Sequence, residues 1–358
     1  MKTNSIWCGI LMGGSCLLLA LGTGCATAPK NSAKPFTFFP PAPDEPRIQF
    51  LTAFAGEADL GRSSSFADFV TGEQKTVNPL VKPYGVAVND GKVFVCDTVA
   101  GVVEIFDLKK NRASYFNPQG EGKMRLPINI SVDKDGTRYL ADTGREQVLV
   151  YGADGIFREA IGKKDEMKPS DVAITVDRLY IADLKNHCVK VYGKADRKLL
   201  FTVPADAKAS EGKLLSPTNL AVDEAGRLLV SDTGGNVVQV YDLDGKFIRT
   251  IGRAGVAPGL FARPKGVAVD RQGLAYVVDA ATQVVQIFDP QGRLLLFFGQ
   301  AGASTQGEVV LPAAVKVDYD HIPYFQKYVA PGKQCEYLIF VTSQFGGQKV
   351  SVYGFLKK

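Results

Sequence analysis

The polar residues best placed for chemistry stand two positions after a recurring proline. Pro127, Pro169 and Pro217 are followed at that distance by Asn129, Asp171 and Asn219, while Pro83, Pro264 and Pro312 are followed by Gly85, Gly266 and Ala314. Three oxygen-bearing side chains from neighbouring units are what a hard cation such as calcium takes as ligands. No glutamate is identified to complete such a set, and Asn or Asp is also ordinary turn chemistry, so the metal site is the second reading of these positions. Another recurring set is Asp97, Asp142, Asp183, Asp232 and Asp279, each ending a short apolar run. As ligands they would ring one face with negative charge. As residues at a strand-to-turn boundary they accept hydrogen bonds from the following amides, and their recurrence fits that fold-keeping role, which we adopt.

The remaining chemistry-bearing residues are few. The only histidines are His187 and His321, and beyond residue 25 the cysteines are Cys96, Cys188 and Cys335, with no CxxC, haem-attachment or zinc spacing among them. No GxSxG, HExxH, P-loop or dinucleotide fingerprint is present. Basic residues number 42 against 37 acidic ones. So small a surplus argues against a nucleic-acid partner.

The elements that must position these residues follow from an internal repeat of roughly 40–50 residues, the period of stacked units that cannot bury their faces alone. Each of the six units opens on a short alternating strand, as in Pro-Tyr-Gly-Val-Ala-Val from Pro83 and Pro-Lys-Gly-Val-Ala-Val from Pro264. A second strand ends in Asp in five units; the sixth reads Val341-Thr342-Ser343. A third ends in an aromatic, as at Tyr192, Tyr241, Phe288 and Tyr353, and turn pairs such as Asp244-Gly245 introduce a fourth, outer strand. Four short strands per unit predict an all-β, six-bladed β-propeller of four-stranded blades.

The run from Asp232 through Asn236, Tyr241, Gly245 and Phe247, then Gly252, Gly255, Pro258-Gly259 and Phe261 to Pro264, closely resembles the NHL repeat, and unit three carries the Asn186-His187 pair. The resemblance spans about residues 80–358. It implies a closed propeller and brings two activities to be weighed. The amidating lyases of this repeat type need several histidines for zinc, which this chain does not supply. The gluconolactonase-like propellers hold a metal near the channel with Asn, Asp and Glu, which implies Asn129, Asp171 and Asn219 as the positions to examine.

The ends of the chain complete the reading. The apolar stretch Ile6–Leu21 after Lys2 is shorter than the roughly 20 residues of a membrane-spanning helix and reads as a signal peptide over residues 1–24. It ends in Leu21-Gly22-Thr23-Gly24-Cys25, which resembles the lipobox of bacterial lipoproteins, with Gly22 where an aliphatic residue is usual. Lipidation at Cys25 would attach the protein to a membrane. Ala26, in place of the aspartate that retains such proteins at the inner membrane, directs it to the outer membrane.

Residues 25–47 read as a tether and residues 48–358 as the propeller, with Ile48–Phe54 supplying the outer strand that the last unit lacks. Ser63–Val70 predicts a short capped helix, and an aromatic-rich insertion runs from His321 to Tyr337 in the sixth unit. The function expected is a lipid-anchored envelope scaffold. It would bind a protein partner through one propeller face carrying the connections 204–216, 253–263 and 299–311. A calcium-dependent hydrolase or lactonase at the channel mouth is the alternative.

Overall fold

The computed structural model describes residues 36–61, 78–206 and 210–357. Residues 1–24, Cys25 and the expected helix at Ser63–Val70 lie outside the described residues. From Phe36 onward the chain forms one compact unit built of six antiparallel sheets, five four-stranded and one five-stranded. The inner strands are Pro83–Asn89, Pro127–Val132, Pro169–Ile174, Pro217–Val222, Pro264–Val269 and Pro312–Asp318. All six begin with the recurring proline, a position that loses nothing to the missing N–H because the ladder has not yet started.

Register explains why proline and aspartate recur together. Pro83 lies opposite Asp97, Pro127 opposite Asp142, Pro169 opposite Asp183, Pro217 opposite Asp232 and Pro264 opposite Asp279; Ser343 takes the place opposite Pro312. A register shift follows the proline in every blade. Such bulges re-aim the next side chains, and here they follow directly on the proline that precedes the Asn129, Asp171 and Asn219 positions.

The core consists of six apolar clusters, one at each interface between adjacent blades. In four of the six blades the aromatic ending the third strand anchors the connection entering its blade. The Tyr151 hydroxyl donates to the Gly122 carbonyl at 2.7 Å and Tyr353 to Gly307 at 3.1 Å, while Tyr241 donates to Gly212. Phe288, with no hydroxyl, packs instead on Phe261 at 5.4 Å between centroids.

The ring closes as the strand pattern predicts. Ile48–Phe54 pairs antiparallel with the last strand, Val350–Leu356, so that the N-terminal segment completes blade six. The tether boundary needs correction, because Thr37–Phe39 is itself a strand on the outer edge of Ile48–Phe54. Phe39 is the reason: its ring packs 6.2 Å from both Phe298 and Tyr353, so apolar burial holds residues that composition assigns to a linker.

The blade-six insertion is also structured, as a short helix at Ile322–Phe325 followed by a 3-10 turn at Gln326–Tyr328. Phe325 packs edge-on against Phe340 at 5.7 Å. The Gly91 amide of blade one donates to His321 Nε2 at 2.7 Å, so the proton resides on Nδ1, which donates to Asp318 at 2.8 Å. His321 is thereby a structural clasp between blades six and one.

The closing strand and one buried carboxyl each lead to stability predictions. Phe54 is buried against Phe106 at 4.7 Å on the closing strand. Phe54→Ala will destabilise by about 3–5 kcal/mol in chemical denaturation, the range for emptying a buried aromatic site. Deleting residues 36–55 will lower the Tm by more than about 10 °C, since several kcal/mol of burial and the sheet edge are lost together. The other concerns Glu104, a buried carboxyl in the third strand of blade one whose Oε1 has no hydrogen-bond partner. Burial, then the charges of Asp97 and Glu57, push its pKa up to about 8. The unfolded value is about 4.3, so between these two pH values the folded state holds a proton that the unfolded chain releases. Stability from this group is therefore full below about pH 4 and declines as pH rises to about 8. Glu104→Gln will flatten that slope and raise the Tm most above pH 8, as thermal scans across pH 5–9 will show.

Candidate functional site

A six-bladed ring leaves a central channel, here a cavity of about 320 Å³ lined by the inner strands. Antiparallel alternation puts the connections entering each blade and the turns after the Asp residues at one end of the blades, the proline face. The turns after the inner strands are at the other end.

The five aspartates act as the repeat reading expects. Asp97 accepts the Val81 amide ahead of its blade at 2.5 Å and the Val99 and Ala100 amides after it at 3.0 Å each. Asp142 accepts Arg125, Leu126, Gly144 and Arg145 amides at 2.7–3.0 Å. Asp279 repeats the pattern with Ala262, Arg263, Ala281 and Thr282. Asp183 and Asp232 bind the amides before their prolines in the same way. These carboxylates are buried and committed to backbone. His187 is equally local: the matching turn positions Gly101, Glu146, His187, Asn236, Gln283 and Gly346 all have φ between 54° and 77°. The repeat selects residues there for a left-handed backbone.

Asn129, Asp171 and Asn219 do come together, but at the narrow end of the channel and buried, 2–6% exposed. Contacts between blades close this ring. A Cβ on Gly85 would lie 2.1 Å from Asn129 Oδ1, and one on Gly266 would lie 2.6 Å from Ala314 Cα. The two oxygens of Asp171 accept the Val172 amide at 2.8 Å and the Leu220 amide of the next blade at 2.9 Å. Asn129 Oδ1 accepts the Ile130 amide at 3.1 Å. Asn219 Oδ1 is buried with no hydrogen-bond partner.

Burial pushes Asp171 up to about 7, opposed by its amide donors and by Lys316. Lys316 projects into the channel from blade six, facing blade three. Water reaches its side chain within the channel, yet protein surrounds it, and burial lowers its pKa below the usual lysine range. These oxygens fit a divalent cation poorly. They offer one carboxyl held partly protonated near neutral pH, two amide side chains, and a facing ammonium, whereas calcium takes six to eight oxygens including ionised carboxylates. Among the described residues no group of three or more His, Cys, Asp or Glu is placed to hold a metal ion.

Sequence reasoning missed Lys316, Tyr84 and Lys265. The latter two meet on the proline face, with the Lys265 ammonium 5.9 Å over the Tyr84 ring. Burial and the neighbouring Arg263 lower Lys265 to about 8, and burial with the Asp171 charge raises the Tyr84 hydroxyl. The signal for Lys316 was available, because the equivalent positions are Ala87, Ser131, Ala173, Ala221 and Ala268.

The chain is thus a six-bladed β-propeller whose channel is constricted at the proline end. Residues 210–353 match the DUF5128 family model, described as a 6-bladed beta-propeller. A structural genomics protein of unknown function from Bacteroides thetaiotaomicron is similar at 17% identity, covering 86% of this chain and 75% of that one, with a TM-score of 0.60. The gluconolactonase XC5397 from Xanthomonas campestris is 17% identical over 87% of this chain and 89% of its own, TM-score 0.55. Virginiamycin B lyase from Staphylococcus aureus is 12% identical over 77% and 96%, TM-score 0.52. At these identities the likeness is one of fold, which many unrelated activities share.

The ring contact at Gly266 gives a direct test of the constriction. Because the clashing atom is backbone, Gly266→Ala will cost roughly 1–3 kcal/mol in urea denaturation, as overpacking does. No loss of stability would show that the blades do not touch at this level.

Proposed function

We propose that this protein is an exported scaffold, anchored to the outer membrane through lipid on Cys25, that binds an acidic envelope protein through its proline face. The observation that carries this reading is the composition of that face. Exposed apolar side chains stand on the blade-entering connections and the neighbouring turns: Val256 at 77%, Val99 at 62%, Leu215 at 56%, with Val81, Leu126 and Phe345. Beside them, just ahead of the blade-opening prolines, are Lys82, Arg125, Lys168 and Arg263, which form no ion pair with a described residue. The strand-ending aspartates of the same blades are engaged by backbone amides. Apolar anchors among uncompensated cations match a partner that presents carboxylates around an apolar patch. Val256 and Leu215 lie on two of the connections expected to form the surface.

The calcium-dependent hydrolase is the weaker reading, on the donor set around Asn129, Asp171 and Asn219 given above.

Crosslinking the full-length lipoprotein in its native envelope, with mass spectrometry of the linked peptides, tests the proposal. The expected result is one recurrent partner linked to the proline face. Lys168→Glu with Arg263→Glu will weaken that complex about tenfold or more while leaving the Tm nearly unchanged, as removal of well-placed interface charges does. Crosslinks scattered over all faces, or a complex indifferent to the charge reversal, would overturn it.

A further inference from the structure

The outer strand of each blade is an open sheet edge. In blades one, two and four that edge carries charge, through Arg112, through Arg158 and Glu159, and through Arg249. Charge is one means by which natural sheets keep an edge from pairing with other chains. Blade five lacks it. Its outer strand, Leu294–Phe298, reads Leu-Leu-Leu-Phe-Phe and ends its sheet without a further strand. Leu295 on this edge is 56% exposed and Phe297 46%. The neighbouring edge of blade six, Thr37–Phe39, is uncharged as well, and Phe36 just ahead of it is half-exposed. Blade three presents a similar edge, Leu199–Val203, with Leu199 and Leu200 half-exposed.

The tether distinguishes the two apolar regions. Phe36 stands 11 positions after Cys25. An extended chain therefore holds it within about 40 Å of the lipid. A compact unit the size of residues 36–358 has a radius of gyration of roughly 20 Å and is about 50 Å across. Blade three lies across the ring from blade six, so resting on its edge would lift Phe36 beyond the reach of the tether. Phe39, by contrast, packs on Phe298 at 6.2 Å, which ties the anchored end of the chain to the very strand that carries Leu295 and Phe297. Lys30 and Lys34, with no acid between Cys25 and Phe36, add attraction to anionic headgroups.

We propose that the outer edges of blades five and six rest on a phospholipid bilayer, with Leu295, Phe297 and Phe36 entering its headgroup region. This rests on the lipid anchor at Cys25. The strand itself limits the depth, because the open-edge amides and carbonyls of Leu294–Phe298 need water or headgroup partners and cannot enter hydrocarbon. The contact is therefore interfacial. It sets the ring axis parallel to the bilayer and leaves the proline face open to a partner.

Tryptophan fluorescence tests this, since the one tryptophan of the chain, Trp7, is removed by cleavage ahead of Cys25. Phe297→Trp, Leu295→Trp and, from the far edge, Leu200→Trp are made in the full lipoprotein and reconstituted into vesicles of phosphatidylethanolamine and phosphatidylglycerol. Lipid brominated near the carbonyl end of its acyl chains will quench Phe297→Trp and Leu295→Trp about twofold or more, as contact at headgroup depth requires. Bromine near the chain ends will quench them less, and Leu200→Trp will respond to neither. Vesicle flotation and the mass of the N-terminal peptide report the anchor separately. A chain that neither floats nor carries acyl groups on Cys25 would sink the anchoring and this contact together. With the protein anchored, unquenched Phe297→Trp and Leu295→Trp, or equal quenching of Leu200→Trp, overturns the contact alone. Blue-shifted but unquenched emission from Phe297→Trp also overturns it, by giving the edge to a second copy of the chain.

Discussion

A buried carboxylate opposite a proline holds five of the six corners of this propeller. Because Asp97, Asp142, Asp183, Asp232 and Asp279 lie in register with the prolines that open their blades, each carboxylate reaches amides from the incoming connection. In at least three blades it also takes those of the following turn. Charge-assisted bonds to backbone N–H groups are stronger than neutral ones. They place the connections without the help of a larger core, and the bulge after each proline then sets up the ring. In blade six Ser343 does the same work with one weaker bond, to the Val310 amide at 3.3 Å.

The ring so formed divides the molecule. Where Asn129 abuts Gly85 and Ala314 abuts Gly266, the inner strands are too close for a through channel. One consequence is a proline face whose cations and apolar side chains are available to a broad surface. The other is a pocket that opens away from it, enclosed by alanine and valine. The two ends of the same strands thereby present different chemistry.

Blade six carries most of the departures from the repeat. It takes its outer strands from the N-terminal segment, replaces the corner aspartate by serine, bears the helical insertion clasped by His321, and supplies Lys316. Closure explains the concentration in part. Blade six takes its outer strands from the N-terminal segment, and Gln49 of that segment binds the insertion, donating to the Tyr328 carbonyl at 2.8 Å and accepting the Ala330 amide at 3.1 Å.

The repeat made the architecture legible in the amino-acid sequence alone: six units, four strands each, the fold-keeping aspartates, and the closing strand Ile48–Phe54. These follow from local periodicity and from turn chemistry, which act within a few residues. The tether boundary was misplaced because Phe39 is held by Phe298 and Tyr353, partners hundreds of residues away. Asn129, Asp171 and Asn219 were recognisable as a set, but their burial was not, since it depends on how closely glycines from other blades let the strands approach. The facing of Lys316 toward Asp171, and the unpartnered oxygen of Asn219 beside them, arise only when blades three, four and six converge on one axis. Spacing along the chain sets which residues each strand carries; ring closure decides which of them meet.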